Sequence, residues 1–140
     1  VCSHPDVYRF IEESGGFVVG DDLCTGSRYF EGPPVQEDDP LAAVAGRYLS
    51  RPPCPAKHAG LFARAEHLLD TARKNRAEGV VFFFLKFCDP HAFDYPCLRE
   101  TLSGEGIPSL VLEAEDRLPP EGQWRTRMET FLEMIGPQPS

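Results

Sequence analysis

The sequence holds no C-x-x-C pair, no glycine-rich phosphate loop and no long apolar run, and each absence removes a class of function. The five cysteines, Cys2, Cys24, Cys54, Cys88 and Cys97, are spaced unlike those of a zinc ribbon or a thioredoxin-type redox centre. An odd count without a secretory signal is expected of a reducing, cytoplasmic setting rather than of a disulfide framework. Neither G-x-G-x-x-G nor G-x-x-x-x-G-K-S/T occurs, so no nucleotide is expected to bind here. No stretch approaches the roughly 20 apolar residues that cross a bilayer. Basic residues are scarce: 14 Lys and Arg against 22 Asp and Glu leave a net charge of −8, which argues against nucleic acid as a partner. The opening, Val1-Cys2-Ser3-His4-Pro5-Asp6, reads as the interior of a longer polypeptide.

What is present suits one globular domain. A hydrophobic share of 41% and a charged share of 26% in 140 residues are ordinary for a soluble domain with a single core. The most informative stretch is Gly79-Val80-Val81-Phe82-Phe83-Phe84-Leu85-Lys86-Phe87-Cys88-Asp89-Pro90-His91. Six apolar residues after a glycine read as a strand buried on both faces, as in parallel sheets. Pro90 cannot continue such a strand, so Cys88 and Asp89 fall where it emerges.

The remaining segments alternate in type. Residues 3–14 read as a helix capped by Ser3, with Pro5 in its first turn and Val7, Phe10 and Ile11 on one face. Residues 17–20 read as a short strand, and 27–39 as a loop carrying Gly32, Pro33, Pro34 and the acidic run at 37–39. Asp39 before Pro40 starts a helix through Leu41, Val44, Ala45, Tyr48 and Leu49, stopped near Ser50 by Pro52, Pro53 and Pro55. Residues 59–77 form a long amphipathic helix, with Leu61, Phe62, Ala65, Leu68, Leu69 and Ala72 in register. The Phe-rich strand at 80–87 follows, then a helix from Asp94 to about Ser103 and a strand at 107–112. Pro119 and Pro120 precede a last helix over 121–135.

This order predicts an α/β fold: a small three- to four-stranded parallel sheet with helices on both faces, a three-layer Rossmann- or flavodoxin-like domain. Residues 1–136 form that single domain and 137–140 a disordered tail. Parallel strands share a direction, so Asp21, Asp22 and Cys24, then Cys88, Asp89 and His91, then Glu113 and Glu115 should gather at one edge. Ligands bind at that edge in open α/β sheets.

Each candidate has a plainer reading. Cys88 is either a buried free thiol packing like a small hydrophobe or a metal-binding or catalytic group at a strand end. Cys24 is either part of a structural turn or a functional thiol, with Gly26 allowing another group to approach closely. Cys54 reads as a packed loop residue and Cys97 as a core residue. His91 is either a base or a ligand or, more simply, a strand-end histidine bonded to backbone. Asp21 and Asp22 read as turn or helix caps. Arg28, Tyr29 and Arg47 are possible contacts for an anion, against the plainer reading of surface side chains.

Several segments together resemble the C-terminal domain of the 2-hydroxyacyl-CoA dehydratase and benzoyl-CoA reductase family. They are Gly20-Asp21-Asp22-Leu23-Cys24-Thr25-Gly26, Arg47-Tyr48-Leu49 with Pro53-Cys54-Pro55, and Lys86-Phe87-Cys88-Asp89-Pro90-His91 with Asp94-Tyr95-Pro96. Gly106-Ile107-Pro108 follows, then Gly122-Gln123, Thr126-Arg127 and Phe131-Leu132-Glu133. No one piece is specific, but the ordered set covers nearly the whole chain.

The resemblance implies a subunit with a preceding α/β domain, a second subunit as partner, and a separate ATP-hydrolysing activator that delivers a low-potential electron. It implies a 4Fe–4S cluster in the full subunit, held by three cysteines with one iron open, and not by this chain alone. The position of Cys88 matches one of those ligands; the other two come from the preceding domain. Asp22, Cys24, Asp89 and Glu113 are weaker candidates for residues around that site, and no catalytic residue is assigned. The implied reaction is radical dehydration of a 2-hydroxyacyl-CoA to an enoyl-CoA, in which an electron turns the thioester into a ketyl that expels hydroxide. The alternatives are a benzoyl-CoA reductase or double-cubane-cluster reductase subunit, and a non-catalytic subunit-association module.

Overall fold

A computed structural model describes residues 6–32, 36–51, 54, 56, 60, 62–115 and 121–136. Ser3, Pro5, Cys2, Leu61, the prolines at 33, 34, 52, 53, 55, 119 and 120, and the tail at 137–140 lie outside them.

The elements run α1 (Asp6–Glu13), α2 (Ser27–Phe30), α3 (Pro40–Leu49), α4 (Ala63–Lys74), β1 (Val80–Leu85), α5 (Asp89–Gly104), β2 (Ser109–Ala114) and α6 (Glu121–Ile135). β1 and β2 pair in parallel, from Val80 opposite Ser109 to Leu85 opposite Ala114. Alternate side chains of β1 point to opposite faces. Val81, Phe83 and Leu85 pack on a cluster formed by Leu112, Ala114, Trp124, Met128 and Phe131, with Phe10 and Ile11 of α1. Phe82 and Phe84 pack on Ala65 of α4 and on Leu98 and Leu102 of α5. The sheet is therefore covered on both faces, by α1 and α6 on one side and α4 and α5 on the other. The α/β class and its layering are as the residue pattern predicts.

Aromatic rings lock these layers. Phe83 meets Trp124 edge-on at 5.5 Å, and Tyr95 meets Phe82 and Phe84 edge-on at 5.1 and 5.2 Å. Gly79 lets α6 approach the start of β1, because a Cβ there would lie 2.7 Å from Phe131 Cζ.

Three expectations need correction. The sheet has two strands among the described residues, not three or four. Residues 17–20 pair with neither of them. They run beside α4 instead: Gly20 comes so close that a Cβ would meet Asn75 Nδ2 at 2.9 Å. A cavity of about 230 Å³ is lined by this segment and by β1. The expected loop at 27–39 contains α2, a single turn. α5 begins at Asp89, five residues before Asp94, because Pro90 suits a first helical turn as well as it ends a strand. Pro96 lies inside that helix, and Cys97 sits half-buried in its middle.

Candidate functional site

The site lies at the carboxyl ends of the strands. β1 ends at Leu85, and Lys86 N–H still reaches Ala114 O at 2.7 Å. The Lys86 ammonium pairs with Glu115 at 2.8 Å, which ties the two strand ends together on the surface. Phe87 then adopts left-handed backbone, φ 69°, and is 93% exposed. This is an unfavourable conformation for a bulky residue and turns the chain sharply. Cys88 follows as the N-cap of α5, held by its N–H to Leu85 O and its carbonyl to Ala92 N–H, both at 3.1 Å. Its half-buried thiol makes no capping hydrogen bond. Asp89 is exposed in the first turn, and Glu113 is exposed on β2 opposite Phe84.

The segment after residue 20 is organised by its two aspartates. Asp21 Oδ1 accepts from Leu23 N–H at 3.1 Å and Ser27 N–H at 2.9 Å, capping α2 from outside it. Gly26 is what permits this, since a Cβ at that position would sit 1.9 Å from Asp21 Oδ1. Tyr8 also bonds Asp21; burial first, then that carboxylate, raise its phenol to about 12. Asp22 does something else. Its carboxylate accepts from Arg28 Nε at 2.8 Å and from Arg64 Nη2 at 2.9 Å. Arg64 Nη1 continues to Asp94 at 2.8 Å. Both guanidinium groups are buried, so four charges from four separate segments neutralise one another out of water.

Against this network stands a thiol–imidazole contact. Cys24 Sγ lies 3.6 Å from His91 Nε2, and Arg28 Nη1 lies 4.0 Å from the same sulfur. Burial pushes the His91 pKa down, and Arg64 and Arg28 push it further than Asp22 and Asp94 restore. His91 also faces the Phe84 ring at 6.2 Å and lines the cavity, together with Asp22 and Arg64.

The plainer reading gives way for His91, which meets a cysteine rather than backbone; Arg28 is neither a surface side chain nor free for an anion, being buried against Asp22. Arg47 donates to Phe30 O at 3.3 Å. The structure thus joins Asp22 to Arg28, and Cys24 to His91; Asp89 and Glu113 enter neither group.

Arg64 and its link to Asp94 are not anticipated from the sequence. The signal that could have found them is phase: Arg64 falls four residues before Leu68 and eight before Ala72, on the stripe that faces the core.

A two-stranded parallel sheet covered on both faces by helices defines the chain as a small α/β domain. A family profile described as 2-hydroxyglutaryl-CoA dehydratase, D-component, matches residues 1–135, and the chain belongs to that family. Its relatives include the beta subunit of (R)-phenyllactyl-CoA dehydratase from Clostridium sporogenes, 27% identical over 96% of this chain and 36% of that protein. The beta subunit of (R)-2-hydroxyglutaryl-CoA dehydratase from Acidaminococcus fermentans is 27% identical over 96% of this chain and 37% of its own length. One of the subunits of benzoyl-CoA reductase from Thauera aromatica is 26% identical over 96% and 36%. The chain thus spans little more than a third of the curated relatives it matches.

Tested against an iron–sulfur cluster, the described residues fall short of a ligand set: no three His, Cys, Asp or Glu side chains among them converge on a point that could hold a metal ion. Among the described residues, no helix is long and apolar enough to cross a membrane.

Proposed function

We propose that this chain is the part of an acyl-CoA dehydratase subunit that closes one side of an iron–sulfur site with a single thiol, Cys88. The match over residues 1–135 supports the class, and the backbone at Cys88 supports the residue. A left-handed Phe87 turns Cys88 out of the sheet and leaves its sulfur without a capping bond. Thiolates are the usual protein ligands of such clusters. The other ligands come from the part of the subunit that the relatives have and this chain does not span. Phe87, next to Cys88 in the chain and 93% exposed, and Phe93 on the following helix, 72% exposed, are apolar surface that this part would cover.

The reaction is dehydration of a 2-hydroxyacyl-CoA to the enoyl-CoA through a ketyl of the substrate thioester, with an electron from an ATP-hydrolysing activator and a second subunit as partner. Reductive chemistry on benzoyl-CoA, or by a double-cubane-cluster reductase, is the neighbouring alternative within the same family. This domain's own residues shape the site: the network of Asp22, Arg28, Arg64 and Asp94 fixes the loop at 21–24 against α5, the helix whose N-cap is Cys88.

Anaerobic reconstitution of the complete subunit with iron and sulfide tests the reading. Cys88→Ala should lower bound iron and bleach the brown colour, whereas unchanged iron would remove Cys88 from the ligand set. Dehydration of a 2-hydroxyacyl-CoA against reduction of benzoyl-CoA, each with activator and ATP, separates the two chemistries.

A non-catalytic association role has one observation in its favour. α3 buries no residue, and Leu41, Val44, Tyr48 and Leu49 are all exposed along it. Iron retained in full by Cys88→Ala, with assembly lost on Leu41→Glu, would favour that role.

A further inference from the structure

Cys24 and His91 are 67 positions apart in sequence, yet Sγ and Nε2 approach to 3.6 Å beside a buried arginine. The cluster-ligand reading leaves this pair without a task. We propose that Cys24 is a nucleophilic thiol, with His91 as its general base, and a covalent modification site for soft carbon electrophiles of the α,β-unsaturated carbonyl class.

Geometry supplies each requirement of that chemistry. Cys24 is exposed, so an electrophile reaches the sulfur from solvent. His91 Nε2 is within reach of the thiol proton, which places the ring's own proton on Nδ1. Arg28 Nη1 stands 4.0 Å from the sulfur, with its Nε and Nη2 held by Asp22, so a positive charge is fixed beside the sulfur as it becomes anionic.

In the addition, the sulfur–carbon bond forms at the β-carbon while the carbon–carbon π pair shifts toward the carbonyl. The thiol proton passes to Nε2 and from there to the α-carbon. Atoms and electrons balance without an oxidant or a second substrate.

His91 must be neutral to act, and its surroundings keep it so. It feels Arg28 from α2, Arg64 from α4, Asp94 from α5 and Asp22 from the preceding loop; burial and the two arginines outweigh the two carboxylates. Cys97 differs: it is packed against the Phe82, Leu98 and Leu102 cluster in the interior of a helix. The enoyl thioester that the proposed dehydration would release belongs to the same electrophile class, and that link alone rests on the functional reading above.

The test is the rate of N-ethylmaleimide addition at each cysteine, followed by peptide mass spectrometry from pH 5 to 8, with glutathione alongside. An unassisted thiol gains about tenfold in rate per pH unit up to its pKa near 8.5. Cys24 should instead level off between pH 7 and 8, and fall on the acid side with an inflection below the ordinary histidine value of about 6.5. His91→Gln should restore the tenfold-per-unit slope at Cys24 and leave Cys97 unchanged. A wild-type Cys24 that follows glutathione through pH 7–8 overturns the proposal without recourse to any variant. Crotonyl-CoA should give a mass adduct at Cys24. Its absence, with the maleimide plateau intact, would remove the enoyl thioester from the electrophiles of this site and leave dehydratase activity to its own assay.

Discussion

Arg64 binds Asp22 across 42 positions of sequence, Nη2 to Oδ2 at 2.9 Å, and with its other terminal nitrogen holds Asp94 on α5. One buried guanidinium thus fastens the loop after residue 20 to the helix that begins beside Cys88. Removing one partner of such a group leaves a charge buried and uncompensated, typically costing about 3–5 kcal/mol. Asp22→Ala and Arg64→Ala should each lower stability by that order in urea unfolding. Arg64→Lys, a point charge that cannot span both carboxylates, should fall between them and the wild type. A loss under about 1 kcal/mol for Asp22→Ala, the range of an exposed pair, would show the network to be solvated.

Gly26 makes room for the Asp21 carboxylate, which a Cβ would meet at 1.9 Å. Gly26→Ala should therefore destabilise by about 1–3 kcal/mol, the usual cost of forced overpacking. The diagnostic is coupling: in an Asp21→Ala background the clash is gone, so the same substitution should cost much less. Equal costs in both backgrounds, read from a double-mutant cycle, would place the strain elsewhere.

Leu112 is fully buried on β2, within the cluster that holds Trp124 and Met128. Leu112→Ala should cost about 2–5 kcal/mol, by lost burial and by the cavity left behind. Glu113, the next residue, is exposed, so Glu113→Ala should stay within about 0.5 kcal/mol. The contrast between neighbours on one strand tests which face of β2 meets α6.

The pattern of apolar residues makes the layers legible, because burial on both faces of β1 is written into its unbroken run of six. Part of the edge is legible too: strand-end position brings Lys86 and Glu115 onto one side, with Cys88 just beyond β1. What stays hidden depends on chain path rather than composition. Residues 17–20 have strand-like side chains, but pairing is decided by neighbours, and here α4 takes the glycine that would have led onto β1. Asp22 resembles a turn cap in sequence because its partners, Arg28 and Arg64, lie six and 42 positions away. Asp21, bonded to backbone two and six residues on, is readable locally and behaves as a cap.

Tyr8 links that cap to α1, and its titration gives a test with a definite sign. Burial, reinforced by the Asp21 carboxylate, raises the phenol from 10.0 to about 12 in the folded protein. The native state therefore holds the proton more tightly than the unfolded chain. The contribution of Tyr8 to stability is complete below about pH 10, the unfolded value, and is lost as pH rises through the folded value. Unfolding free energy measured from pH 9 to 12 should fall more steeply in wild type than in Tyr8→Phe, which has no proton to release. Absorbance near 295 nm should show one late tyrosine ionisation, near pH 12, and that step should be missing from the variant. Parallel alkaline stability profiles for the two proteins would show that the fold does not hold the Tyr8 proton more tightly than the unfolded chain does.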